Sequence, residues 1–129
     1  MDTSAIVATL VAGDRDHRQA LAYLARRGVR FVFPLGTMSE VAYMLEARFV
    51  NRGLDGLLQA FERGVYTLDC GDQDVPRIRY LMGRYADFPL GYADATVIAC
   101  AERLGAAIFT FDRRHFPVVA AEGTFSVVP

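Results

Sequence analysis

Asp2, Glu40, Asp94 and Asp112 stand where apolar runs end or apolar helices begin. Nothing in the local sequence requires a carboxylate at all four places. If the chain alternates strands with helices, all four fall on one edge of one sheet. Carboxylates forced together repel unless a cation neutralises them, and oxygen-only ligands suit a hard divalent ion such as Mg²⁺ or Mn²⁺. The chemistry such a group supports is metal-assisted hydrolysis at phosphorus, in which the ion lowers the pKa of a water and neutralises charge on the phosphoryl oxygens.

The elements that must position these acids follow from punctuation and period. Turn signals recur at Gly13-Asp14, Arg27-Gly28, Gly53, Gly64, Gly71-Asp72, Pro89-Leu90-Gly91, Gly105 and Gly123. Between them the pattern predicts helices over Thr3–Leu10, Asp14–Arg27, Met38–Phe49, Leu54–Glu62, Asp72–Tyr85 and Gly91–Leu104. Strands are expected over Val29–Phe33, Val65–Leu68, Ala106–Phe111 and Phe125–Val128. Alternation of this kind means an α/β fold with a parallel sheet of four to five strands between helical layers.

Sites in such sheets form at the carboxyl ends of the strands. Asp2 sits where a first strand would end, and Glu40 opens the helix that follows the strand ending at Phe33. The helix Gly91–Leu104 turns tightly at Gly105 into the strand Ala106–Phe111, so it runs antiparallel to that strand. Its start, with Asp94, therefore meets the edge that Asp112 occupies.

Each acid also has a local explanation. Glu40 fits a capping box with Thr37, and Asp94 lies in a first helical turn, where the macrodipole favours an anion. Asp2 and Asp112 can cap Thr3–Leu10 and the turn Arg113–Phe116. Asp14, Asp72 and Asp74 follow turns and precede helices, and are read as caps.

At 129 residues, 53% hydrophobic and 22% charged, the chain is expected to be one globular domain over residues 1–129. It has no apolar stretch of bilayer length and no signal-peptide pattern, so a cytoplasmic, non-membrane protein is expected. A net charge of −1 argues against a highly basic nucleic-acid wrapper. All 14 basic residues are nonetheless Arg, whose planar fork suits phosphate. Cys70 and Cys100 have no metal spacing, and Cys100 is read as a small hydrophobe. His17 and His115 are too few and too distant for a zinc site or a His-pair ribonuclease, and no Ser-His-Asp set is apparent.

The residues match a known family in four segments. Met1-Asp2-Thr3-Ser4-Ala5-Ile6-Val7 resembles the opening D-T-S motif of PIN domains, and Met38-Ser39-Glu40-Val41 their second motif. Tyr85-x-Asp87-x-Pro89-Leu90-x-x-Ala93-Asp94-Ala95 resembles the third. Phe109-Thr110-Phe111-Asp112-Arg113-Arg114-His115-Phe116 resembles the T-x-D-x-x-F fourth. The resemblance spans the chain, and its length suits the VapC-like toxins.

This resemblance implies a three-layer PIN-like fold and a Mg²⁺- or Mn²⁺-dependent endoribonuclease acting on RNA, the toxin of a toxin–antitoxin pair. Asp2, Glu40, Asp94 and Asp112 map onto the metal-binding acids, with Ser4 and Thr110 on the supporting hydroxyl positions. It also implies a homodimer inhibited by a small antitoxin whose tail enters the acidic cleft. One departure stands out: only Met1 precedes Asp2, where the family carries several apolar residues. Either the start lies upstream, or the first strand is stunted and Asp2 sits beside an α-amine that competes with metal.

Two further readings of the sequence bear on partners. Val41, Met44, Leu45 and Phe49, with Leu54, Leu57, Leu58 and Phe61, could form either core or an apolar groove for the antitoxin. Ile78, Leu81 and Met82 rimmed by Arg77, Arg79, Arg84 and Tyr85 could form a two-fold contact or a solvated helix face. The enzymatic rival is a phosphatase-like acidic pocket, though a haloacid-dehalogenase type would want Asp at Ser4. The non-enzymatic rival is a degenerate PIN domain that binds RNA or protein without cutting.

Overall fold

The computed structural model describes residues 1–47 and 51–129. The expected helix end at Phe49 lies outside them. Among the described residues the order is α1 (Thr3–Leu10), α2 (His17–Leu24), β1 (Val32–Pro34), α3 (Met38–Ala47), α4 (Asn51–Glu62) and β2 (Thr67–Asp69). It continues with α5 (Val75–Arg84), α6 (Tyr92–Leu104), β3 (Ile108–Phe109), α7 (Phe116–Ala120) and β4 (Val127–Val128). Among these residues no helix is long and apolar enough to cross a membrane.

The strands pair in parallel, β1 with β2 and β3 with β4. Met1 and Asp2 lie between the two pairs. The Met1 amine donates to the Val32 carbonyl at 2.6 Å, and the Asp2 amide donates to the Phe109 carbonyl at 3.1 Å. Met1 and Asp2 thus do the joining work between the two strand pairs.

Alternation along the strands separates two cores. Ile108 packs with Ile78, Leu81, Ile98, Phe116 and Val119 from α5, α6 and α7. Its neighbour Phe109 packs with Ile6, Phe31, Phe33, Val41 and Leu45 on the side of α1 and α3. On β4, Val127 and Val128 divide between the cores in the same way. Successive strand side chains point to opposite faces, so helices cover both sides of the strands, as a three-layer α/β arrangement requires.

Several elements differ from the sequence reading. Strands β3 and β4 hold two residues each, because the apolar run Ala106–Phe111 continues past Phe109 in a backbone hydrogen-bonded to Ser4 and Val128 rather than in a regular ladder. Helix α2 begins at His17, since residues 14–16 form turns. The first turn expected for α5 is a 3-10 turn, Asp72–Asp74. On α5 itself Ile78 and Leu81 face inward, but Val75 is 60% and Met82 40% exposed. Helix α7, to which the sequence reading assigned no element, follows the expected turn Arg113–Phe116 and buries Phe116 and Val119 fully.

Helix α6 is the central packing element, buried from Ala95 through Ala101, and it ends at Gly105 in the left-handed region (φ 59°). It packs on α5, β1 and β3, and on the turn Leu35–Thr37. There Gly36 lies so close to Thr96 that an added Cβ would stand 2.9 Å from the Thr96 methyl. Thr96 is buried and bonds the Tyr92 carbonyl, so it has no room to yield. We expect Gly36→Ala to cost about 1–3 kcal/mol in urea unfolding, and Thr96→Ser in the same chain to recover part of that loss by removing the methyl. Additive effects of the two changes would show the contact to be unimportant.

Candidate active site

Asp2 is both a helix cap and the centre of a hydrogen-bond network. Its Oδ2 accepts from the Ser4 amide at 3.1 Å, closing the start of α1. The same oxygen accepts the Ser4 hydroxyl at 2.6 Å and the Thr110 hydroxyl at 2.7 Å. The carboxylate is only 3% exposed, and these donors offset the cost of burying it. Both hydroxyls reach onward: Ser4 Oγ accepts from the Phe111 amide and Thr110 Oγ1 from the Asp112 amide. The first helix and the segment after β3 are thereby fastened at one point. Among the described residues, Asp2 Oδ1 takes no bond from the protein.

Asp112 caps the turn that leads to α7, as its local explanation proposed. Its Oδ1 accepts the Arg114 and His115 amides at 2.6 and 3.1 Å, and its Oδ2 lies 2.8 Å from His115 Nδ1. Burial pushes its carboxyl up, but the two amides and the imidazole outweigh burial and hold it below the ordinary value. Asp94, in the first turn of α6, makes the opposite case. Burial, with the charges of Asp2 and Asp112, raises its carboxyl to about 6 against the partial relief given by His115.

Ligand atoms of Asp94, Asp112 and His115 all lie within 4.8 Å of one another. His115 is the residue that the sequence reading missed. Two histidines far apart argue against a zinc site, but they say nothing about one imidazole in an otherwise acidic cluster. The available signal was the i, i+3 spacing to Asp112 across a turn.

Glu40 stands at the edge of this group rather than in it. It is exposed and accepts the Thr3 hydroxyl at 2.8 Å, which tethers it beside Asp2. The capping box does not form, because Thr37 donates to the Pro34 carbonyl instead. The free amine feared as a competitor points at the Val32 carbonyl. Burial lowers its pKa to about 6, against the opposing pull of Asp2, so little of its charge survives at neutral pH.

A second acidic group, Asp69 and Asp74 beside Cys100, is bridged by a guanidinium. Arg103 bonds Asp74 through two nitrogens at 2.7 and 3.0 Å and Asp69 at 2.6 Å. Asp74 is therefore an ion-pair partner and makes no side-chain cap, contrary to the expectation for it. Asp14 does take a turn role, accepting the Asp16 amide at 2.9 Å. A concavity of ≈ 390 Å³ opens beside Ser4 and Asp112 and is lined also by Arg15, Met44 and Phe111.

Residues 1–122 match the family model of the PIN domain. Ribonuclease VapC26 of Mycobacterium tuberculosis (strain ATCC 25618 / H37Rv) is 28% identical over 133 residues, covering 100% of this chain and 98% of that protein. The crystal structure of Mycobacterium tuberculosis VapC20, a Sarcin-Ricin loop cleaving toxin, superposes with a TM-score of 0.77 at 21% identity. That match covers 92% of each chain and establishes the likeness of fold.

The Asp94 carboxyl sits near 6 in the folded chain against an ordinary 3.8, so folding takes up a proton between those values. Stability then falls as pH rises through that window and levels off above it. Asp94→Asn removes the ionisation. In EDTA we expect the variant to melt several degrees above the wild type at pH 7.5, with the gap closing below about pH 4. Equal melting curves at both pH values would show that the acids do not repel one another.

Proposed function

The chain belongs to the PIN domain family, and on that premise we propose that it is a divalent-metal-dependent endoribonuclease that hydrolyses RNA, the toxin of a toxin–antitoxin pair. The observation that carries this reading is that Asp94, Asp112 and His115 present ligand atoms within 4.8 Å of one another, with Asp2 near enough for its charge to raise the Asp94 carboxyl. The relative VapC26 is named a ribonuclease and VapC20 a toxin that cleaves the Sarcin-Ricin loop. Both names support the same reading.

The donor set suits a hard cation. It consists of carboxylates with an Asp2 Oδ1 that takes no bond among the described residues, and burial, with the charges of Asp2 and Asp112, has raised Asp94 to about 6. The acids Asp69 and Asp74 at the other end of α6 are paired with Arg103, whereas among the described residues Asp2, Asp94 and Asp112 pair with no guanidinium. Asp2, Asp94, Asp112 and, from the edge, Glu40 would hold Mg²⁺ or Mn²⁺. Such an ion supplies activation of the attacking water and charge neutralisation at the phosphate.

The protein's own part is positional. Ser4 and Thr110 fix Asp2, and the Arg114 and His115 amides fix Asp112, so the carboxylates need not reorganise as charge develops. Arg113 and Arg114 are exposed on the turn directly after Asp112, and Arg15 borders the adjacent concavity. These are the groups placed to meet RNA phosphates.

The same electrostatics favour a cationic side chain from an antitoxin in the cleft. Of the apolar residues suggested for its groove, Val41, Leu45 and Leu57 belong to the core. Leu58 remains exposed, and an apolar cavity of ≈ 260 Å³ lies between α1 and α4, lined by Ile6, Leu10, Leu57 and Ala60. For the homodimer, α5 offers Val75, Tyr80 and Met82 outward. Its Arg77 pairs internally with Glu102, and its Arg84 and Tyr85 with Glu122, so Arg79 is left as its rim cation.

We expect cleavage of a fluorogenic RNA to require Mg²⁺ or Mn²⁺ and to stop in EDTA. Asp94→Asn should lower the rate by about 100-fold or more. Unchanged cleavage by purified Asp94→Asn would dispose of the site assignment. Light scattering at micromolar protein should give about twice the chain mass, and a monodisperse monomer would remove the dimer from the proposal.

A further inference from the structure

His115 occupies a position that neither capping nor packing explains. Its Nδ1 lies 2.8 Å from Asp112 Oδ2 and 3.3 Å from Asp94 Oδ2, so one ring nitrogen faces carboxylates from two different elements. The Asp112 carboxyl is held below its ordinary value and so accepts, which assigns the hydrogen of the ring to Nδ1 in the tautomer that satisfies this contact. Nε2 is buried without a partner among the described residues, and the ring meets Phe88 edge-to-face with centroids 5.4 Å apart. A ring held only for packing would have no reason to leave one nitrogen orphaned while aiming the other between two acids. Its backbone amide bonds Asp112 as well, so His115 holds both oxygens of that carboxylate.

We propose that His115 is a positioning residue of the metal site, its Nδ1–H spanning Asp112 and Asp94 and setting their separation before a cation arrives. The proposal rests on the metal-dependent reading above. Groups that orient metal-binding carboxylates typically contribute 10–100-fold to metal affinity. The hydrogen needed is at Nδ1 alone, which makes the two amide replacements informative. Asparagine can place an N–H near the Nδ1 position, whereas glutamine carries it out toward the place of Nε2.

The test is Mn²⁺ binding to metal-free protein, followed by electron paramagnetic resonance, for the wild type, His115→Asn, His115→Gln and His115→Ala. We expect Ala and Gln to weaken Mn²⁺ by about 10–100-fold and Asn to stay within about threefold of the wild type. Circular dichroism reports whether each variant folds, and if Ala does not, the Asn–Gln pair decides. Folded Ala that binds as tightly as the wild type, or Asn no better than Gln, overturns the proposal and leaves the metal site standing. A wild-type chain that binds no Mn²⁺ overturns both.

Discussion

A buried carboxylate at the seam of a sheet is the constraint on which this fold depends. The backbone of Met1 and Asp2 bridges two strand pairs that otherwise share no ladder, and the side chain of Asp2 is enclosed where they meet. Enclosure is tolerable because Ser4 and Thr110 each donate a hydroxyl to it. Those hydroxyls in turn accept amides from residues 111 and 112, so the chain after β3 cannot move without breaking Asp2's own bonds. A buried polar network of this sort rigidifies when fully satisfied and is costly when any member is lost. Met1 and Asp2 can therefore hold the two strand pairs together.

The molecule treats its two acidic groups in contrasting ways. Asp69 and Asp74 come together below α6, and Arg103 from the same helix closes on them with three short bonds. Both carboxylates of that triad are thereby paired with a cation, as buried charges in a structural role are. At the other end of α6, the His115 imidazole nitrogen lies between Asp94 and Asp112, and burial together with the charges of Asp2 and Asp112 raises the Asp94 pKa. The same helix thus carries one finished electrostatic arrangement and one left open. Incomplete neutralisation costs stability, and such costs concentrate where function requires them.

Much of this could be read from the chain. The edge positions of Asp2, Asp94 and Asp112 followed from where apolar runs stop and from the antiparallel return of α6 into β3. The supporting roles of Ser4 and Thr110 came with the family motifs, and each hydroxyl does contact Asp2. Legibility failed where the outcome depends on distant contacts. Glu40 looked like part of a capping box because Thr37 has the right spacing, but Thr37 turned to Pro34 and Thr3 claimed Glu40. Asp74 looked like a cap because it precedes a helix, yet its partner is 29 residues away. His115 was discounted by a count of histidines, although its role needs no second one. Periodicity also overestimated the strands, since apolar content continues through Thr110 and Phe111 while their amides are taken by Val128 and by the Ser4 hydroxyl.

The placement of α6 links packing to the open site. Its buried face from Ala95 to Ala101 is shared with strands and α5, and Gly36 approaches Thr96 too closely to admit a side chain. Thr96 lies two residues from Asp94, so the close contact fixes the same first turns of the helix that carry Asp94. A helix free to slide would let the acids separate and relax their repulsion, lowering the pKa of Asp94 toward its ordinary value. Burial is the larger part of the raised value, and the charges of Asp2 and Asp112 add to it. The core holds the carboxylates in a geometry that electrostatics alone would disperse, and the free energy stored there is available to whatever cation is admitted between them.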